Sequence, residues 1–144
     1  MLVKDKVQIK AIKKGNYMAG KAGNTIMLSE GHYIVYMPEK ECMVDISKMK
    51  QLPEDALLKY RPDKIEELIK PITLTRKAVV FNGWMARLFE NEKTGTRVWI
   101  NDKYIKMFQG HSNNYVEIGG ETDMVFTSCG RIAGLVLPVI VNEE

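Results

Sequence analysis

Polar and apolar positions alternate from the first residues. In "LVKDKVQIKAI", residues 2–12, Val3, Asp5, Val7, Ile9 and Ala11 share one parity, and Lys4, Lys6, Gln8 and Lys10 take the other. Period two predicts a half-buried strand. "KKGNY" then turns the chain. Residues 25–28 and 33–37 are two apolar runs joined by "SEGH", which predicts a hairpin. "CMVDI" reads as one more short strand.

The pattern changes over residues 47–70. Pro53 precedes "EDALL" and suits a first helical turn, and Pro62 with Asp63 starts a second, in which Ile65, Leu68 and Ile69 mark one face. Pro71 stops it. The segment is one kinked helix or two helices with a corner between them. Strands return with "ITLTRKAVVF" and "WMARLFEN" on either side of Asn82-Gly83, a strong hairpin signal. Lys93-Thr94-Gly95 turns the chain into residues 97–100. "NDKYIKMFQG" predicts a short helix capped by Asn101 or Asp102 and closed at Gly110, with Tyr104, Ile105 and Phe108 on one face. "NYVEI", "DMVFTS" and "RIAGLVLPVIV" complete an antiparallel series. Pro138 cannot donate to a ladder, so the last strand is an edge or turns that position away from its partner. Its nearly unbroken apolarity predicts cover on both faces.

Strand-rich stretches with a few short helices predict an α+β domain, mostly antiparallel sheet with the helices on one face. A chain of 144 residues suits one domain. With 45% hydrophobic and 27% charged residues it has an ordinary globular composition. The longest apolar run, residues 132–141, is far below the roughly 18 residues of a membrane span. The N-terminal stretch has no signal-peptide core, so a cytoplasmic location is expected. Cys42 and Cys129 match no metal spacing and are expected to stay reduced.

The net charge of +3 does not itself imply a nucleic-acid partner, but its distribution is uneven. Lys4, Lys6, Lys10, Lys13, Lys14 and Lys21 crowd the first segment against Asp5 alone. Such a segment can follow a phosphate backbone; a solvated face is the plainer alternative.

Two stretches carry a family resemblance. "TRVWINDKYIKMF" and "NNYVEIGGETDMVFTSCGRIAGLVLPVIV" resemble the last part of bacterial sliding clamps, the β subunit of the replicative polymerase. Asn101, Tyr104 and Ile105 match the helix element, and Leu137, Pro138 and Val139 match the final strand. Ile140 stands where that family usually has a basic residue. Glu30, Gly31 and His32 resemble part of a clamp hairpin turn. The resemblance implies a β-rich domain with helices on one face. In the family, such domains join end to end around duplex DNA, with basic helices lining the hole. This chain is long enough for one such domain.

Catalytic motifs are not evident. His32 and His111 read as turn or loop residues without ligand partners nearby. Cys129 lacks an identifiable activating base. The acid pairs Glu66-Glu67, Glu90 with Glu92, and Glu121 with Asp123 give no reason for a perturbed pKa. Trp84 and Trp99, with Phe81 and Phe89 nearby, are expected in the core first and as base-stacking groups second. Nine methionines add adaptable apolar surface.

The expectation is a non-enzymatic clamp-like module in DNA replication or a related transaction, without metal or cofactor. It would self-associate through sheet edges, meet replication proteins, and hold duplex DNA through Lys10, Lys13, Lys14, Lys103 and Lys106. The alternative is a protein-interaction or inhibitor module of phage or mobile-element origin that binds no DNA.

Overall fold

A computed structural model describes residues 2–142. Helix α1 (Val3–Lys14) opens the chain. Strands β1 (Met18–Ala22), β2 (Thr25–Ser29) and β3 (Tyr33–Pro38) follow. Two short 3-10 turns lead to β4 (Lys50–Gln51), helices α2 (Glu54–Lys59) and α3 (Pro62–Leu68), and β5 (Lys70–Pro71). Then come β6 (Thr73–Phe81), β7 (Trp84–Asn91), β8 (Thr96–Asn101), helix α4 (Asp102–Met107), β9 (Ser112–Ile118), β10 (Glu121–Ser128) and β11 (Arg131–Val136). The fold is α+β with mostly antiparallel sheet.

The strands form two sheets. One has eight strands in the order β4-β1-β2-β3-β11-β10-β9-β5, and the other is β6-β7-β8. All pairs are antiparallel except β1 with β4. The inner order of the large sheet is symmetric about the β3–β11 pair. On each side of that seam a helix is followed by a three-stranded meander: α1 with β1 to β3, and α4 with β9 to β11.

Strand alternation divides the core into layers. Tyr33, Val35, Met37, Met124 and Phe126 face one side, where Val7 and Ala11 of α1, Tyr104 of α4, Phe108 just beyond it, and Phe89, Val98 and Ile100 of the small sheet cover them. Ile34, Tyr36, Val116 and Val125 face the other side, under Leu57 of α2 and Ile65 of α3. The helices therefore occupy both faces of the large sheet, not one as the sequence suggests. Phe108 reaches the sheet because Gly134 has no side chain: a Cβ there would lie 2.1 Å from the ring.

The strand expected over residues 2–12 is the helix α1. Its inward positions are Val3, Val7 and Ala11, at i, i+4 and i+8, together with the buried Gln8. Ile9 and Ile12 point to solvent, and Ile9, sharing the parity of the inward Val3, Val7 and Ala11, completed the false alternation. Gly15, at φ 67°, ends the helix in the left-handed conformation and donates its N–H to the Ala11 carbonyl.

Three smaller corrections follow. β1 follows directly on "KKGNY", in residues to which the sequence assigns no element, and "CMVDI" is irregular instead of a strand; the nearby strand is β4, later in the chain. α4 is capped by the Asn101 side chain, which accepts from the Lys103 N–H, but its C-cap is Phe108, ahead of Gly110. The final strand stops at Val136. Leu137 still donates to the His32 carbonyl beside β3, and residues 138–142 then cross to the small sheet. There Val139 donates its N–H to the Trp99 carbonyl at 2.9 Å, and Val139 and Val141 cover Ala86, Leu88 and Trp99. Pro138 thus lies outside the ladder, and the apolar run is explained by two successive burial surfaces.

Candidate nucleic-acid interface

α1 buries one side and offers the opposite side to solvent. Lys6, Lys10 and Lys13 lie at i, i+4 and i+7, so they form one row along the helix, with Lys14 flanking it; all four are exposed. No ion pair joins these four to an acid among the described residues. Lys4, on the buried side, pairs with Glu41. Beside the lysine row runs a second one: Ile9, 39% exposed, and Ile12, 70% exposed, with Leu2 ahead of them. The outward surface of α1 is thus half basic and half apolar.

Hydrogen bonds of Gln8 tie the helix to the segment after β3. Gln8 accepts from the Met43 N–H at 2.5 Å and donates to the Glu41 carbonyl at 3.3 Å. Beyond its end, the Tyr17 and Tyr33 hydroxyls are 2.7 Å apart, and the Tyr33 ring meets the Tyr104 ring edge-on at 5.4 Å. Tyr104 donates to Glu30 at 3.3 Å. Burial is the main cause that pushes the Tyr33 phenol well above its usual value and Tyr104 to about 12, so both stay protonated. Tyrosine packing thereby links the end of α1 to α4.

α4 carries Lys103 and Lys106, both exposed. They differ from the α1 lysines in having neighbours. Lys106 lies 3.2 Å from the buried Asp102, which Arg87 also approaches at 3.8 Å. The Lys103 ammonium sits 4.9 Å from the centre of the Tyr104 ring. The structure therefore places all five expected lysines on helices that cover one face of the large sheet, in two groups. Lys6 was missed, and its spacing from Lys10 would have identified it once the segment was read as helical.

The tryptophans divide. Trp99 is buried against the tail. Trp84 is 37% exposed at the tip of the β6–β7 hairpin, stacked on Phe81 with ring centres 4.3 Å apart. An open depression of about 450 Å³ joins this tip to Lys103 and Lys106.

The other candidate groups stay dispersed. His111 lies 3.1 Å from the Phe108 carbonyl through Nδ1, and the His32 carbonyl accepts from Leu137. The Cys42 thiol donates to the Val44 carbonyl, while Cys129 is exposed in the β10–β11 turn. Among the described residues, no group of three or more His, Cys, Asp or Glu side chains could hold a metal ion. Two carboxyls are perturbed: the hydrogen bond from Arg61 holds Asp63 below its usual value, and, against the expectation for the Glu121 and Asp123 pair, burial raises the pKa of the 1% exposed Asp123 to about 6. It lies on the opposite face of the large sheet from α1, near Tyr36 and Tyr60. No described helix is long and apolar enough to cross a membrane.

No family model, curated protein or solved structure matches the chain.

Proposed function

We propose that the chain is a non-enzymatic, sliding-clamp-like module of DNA replication or a related transaction, and that it contacts duplex DNA through phosphates. The observation that carries this reading is the lysine row of α1, exposed and without ion-pair partners among the described residues. A helix with cations at i, i+4 and i+7 follows a phosphate backbone without first breaking internal ion pairs. The symmetric arrangement of α1 and α4 about the β3–β11 seam supports the reading too, since it sets a lysine-bearing helix from each half on one face. Lys103 and Lys106 contribute less, because Lys106 must leave Asp102. A cytoplasmic setting, replication-protein partners and self-association go with the proposal. The end strands β4 and β5 are two residues each and leave parts of the β1 and β9 edges open for pairing.

The test is duplex binding across a salt series. Each phosphate contact contributes a slope of roughly −0.9 in log K against log salt. Replacing Lys10, Lys13 and Lys14 by Glu should abolish salt-sensitive binding; unchanged binding removes the proposal.

The apolar row of α1 favours a second reading, a protein-interaction or inhibitor module of phage or mobile-element origin. Ile9, Ile12 and the 75% exposed Met43 offer apolar area that DNA phosphates do not need. It expects no duplex binding by the native chain, and partner binding that is lost on Ile12→Lys.

A further inference from the structure

We infer that the hairpin tip of β6 and β7 is a stacking site for an unpaired nucleobase, with Lys103 and Lys106 meeting the adjoining phosphates. This rests on the nucleic-acid reading above but concerns a different surface and a different ligand feature.

The tip is built in an unusual way. Phe81 and Trp84 are directly opposed across the Asn82-Gly83 turn, and their rings lie nearly parallel, at 16°. Gly83, at φ 83°, makes so short a turn possible. Val80, 77% exposed, pairs with Met85 on the other face of the same tip. A hairpin tip is normally polar, and these side chains leave apolar area in water where the core is not completed by them: Trp84 is absent from the cluster under the tail, and Phe81 is only partly buried there. The Phe81 ring fixes the indole from one side, so binding at its exposed part costs little side-chain ordering.

The surroundings decide the ligand class. The depression is lined by Val80, Phe81, Trp84 and Met85 on the hairpin and by Lys103 and Lys106 on α4. An aromatic platform bordered by cations matches a nucleotide, whose base has an apolar π-face and whose backbone is anionic. A purely apolar protein segment would use the rings but not the lysines. Asp102 does not cancel the charge, because Arg87 remains beside it when Lys106 turns to a phosphate. In a duplex the bases are stacked on each other, so the site takes a base from a single strand, a gap or a frayed end.

The experiment titrates the full chain at low salt with a short oligothymidylate and with a blunt duplex of equal length, following tryptophan fluorescence and anisotropy. Stacking should quench the indole emission with the single strand and not with the duplex. Trp84→Ala should weaken oligothymidylate binding about tenfold and leave duplex binding unchanged. Trp84→Phe, which keeps an aromatic face, should restore most of the affinity and shows that folding is not at issue. Single-strand binding without quenching, or equal affinity in Trp84→Ala, overturns the inference while leaving the duplex proposal standing. Quenching and single-strand affinity that persist when the duplex is not bound would retain the stacking site and remove the duplex proposal. Absence of single-strand binding overturns the stacking site directly.

Discussion

The buried Gln8 carboxamide and the Met43 backbone N–H form the tie that fixes α1 to the segment after β3. Gln8 is 1% exposed, and its second bond goes to the Glu41 carbonyl. A polar side chain in that position is compatible with folding because both of its ends are satisfied. Gln8→Ala leaves the two backbone groups to find water or remain unpaired, at a cost of about 1–3 kcal/mol. Urea unfolding should show that loss. Hydrogen exchange should rise first in α1 and at Met43; uniform protection across the chain would remove the assigned role.

Gly134 and Phe108 form a second tie, between β11 and the end of α4. The Phe108 ring stacks on Phe126 at 4.7 Å and occupies the space over the glycine. Gly134→Ala should therefore destabilise by about 1–3 kcal/mol through overpacking. Phe108→Ala alone should cost about 3–5 kcal/mol through the cavity it leaves. The double variant should cost clearly less than the sum, because each change relieves the other. Strict additivity in thermal unfolding would contradict the close approach.

The tail distinguishes two accounts of the last apolar run. If it continued the large sheet, Ile140 would be as sensitive as its neighbours. In the structure Ile140 is 94% exposed, while Val139 and Val141 cover the small sheet. Val139→Asp should cost about 1–3 kcal/mol, and Ile140→Asp should stay within about 0.5 kcal/mol of the native chain. A reversed order of sensitivity would place the tail elsewhere.

Those three contacts also mark where sequence reading reaches and where it stops. The hairpin at Asn82-Gly83 and the helical character of the segments at Pro53 and Pro62 were legible, because each rests on local backbone chemistry; the choice of Asn101 over Asp102 as cap, and of two helices over one kinked helix, came only with the structure. α1 was not, because its apolar residues point both inward and outward. Val7 and Ala11 pack on the sheet, Ile9 and Ile12 meet solvent, and Gln8 takes a core position. The end of β11 was hidden for a related reason: Val136 is covered as a strand residue of the large sheet and Val139 as a tail residue on the small one, and composition does not separate the two. Of the candidate interface, the lysines were visible as a charge cluster. Their alignment with Lys6 was not, since it depends on helical periodicity. The exposure of Trp84 depends on which strand pairs extend past the small core, a tertiary property that leaves no local sign.

Asp123 gives the molecule a stability term of unusual sign. Its carboxyl is buried on the α2–α3 side of the large sheet, and Oδ2 has no hydrogen-bond partner among the described residues. Burial raises its pKa from 3.8 to about 6; the Lys59 charge opposes that rise, and the Glu121 charge adds to it. The nearby Tyr36 and Tyr60 phenols are themselves raised by burial and stay neutral. The folded chain thus binds the proton more tightly than the unfolded chain. Its favourable contribution is complete below about pH 4 and is lost as pH rises through about 6, a change of about 2–3 kcal/mol. Ordinary ion-paired carboxylates act in the opposite direction, so the informative quantity is the difference from Asp123→Asn, which stays neutral throughout. That variant should gain on the native chain steadily between pH 4 and 6.5 in urea unfolding, then hold a constant lead. Parallel stability curves over the same range would mean that Asp123 reaches solvent or a partner in the folded state.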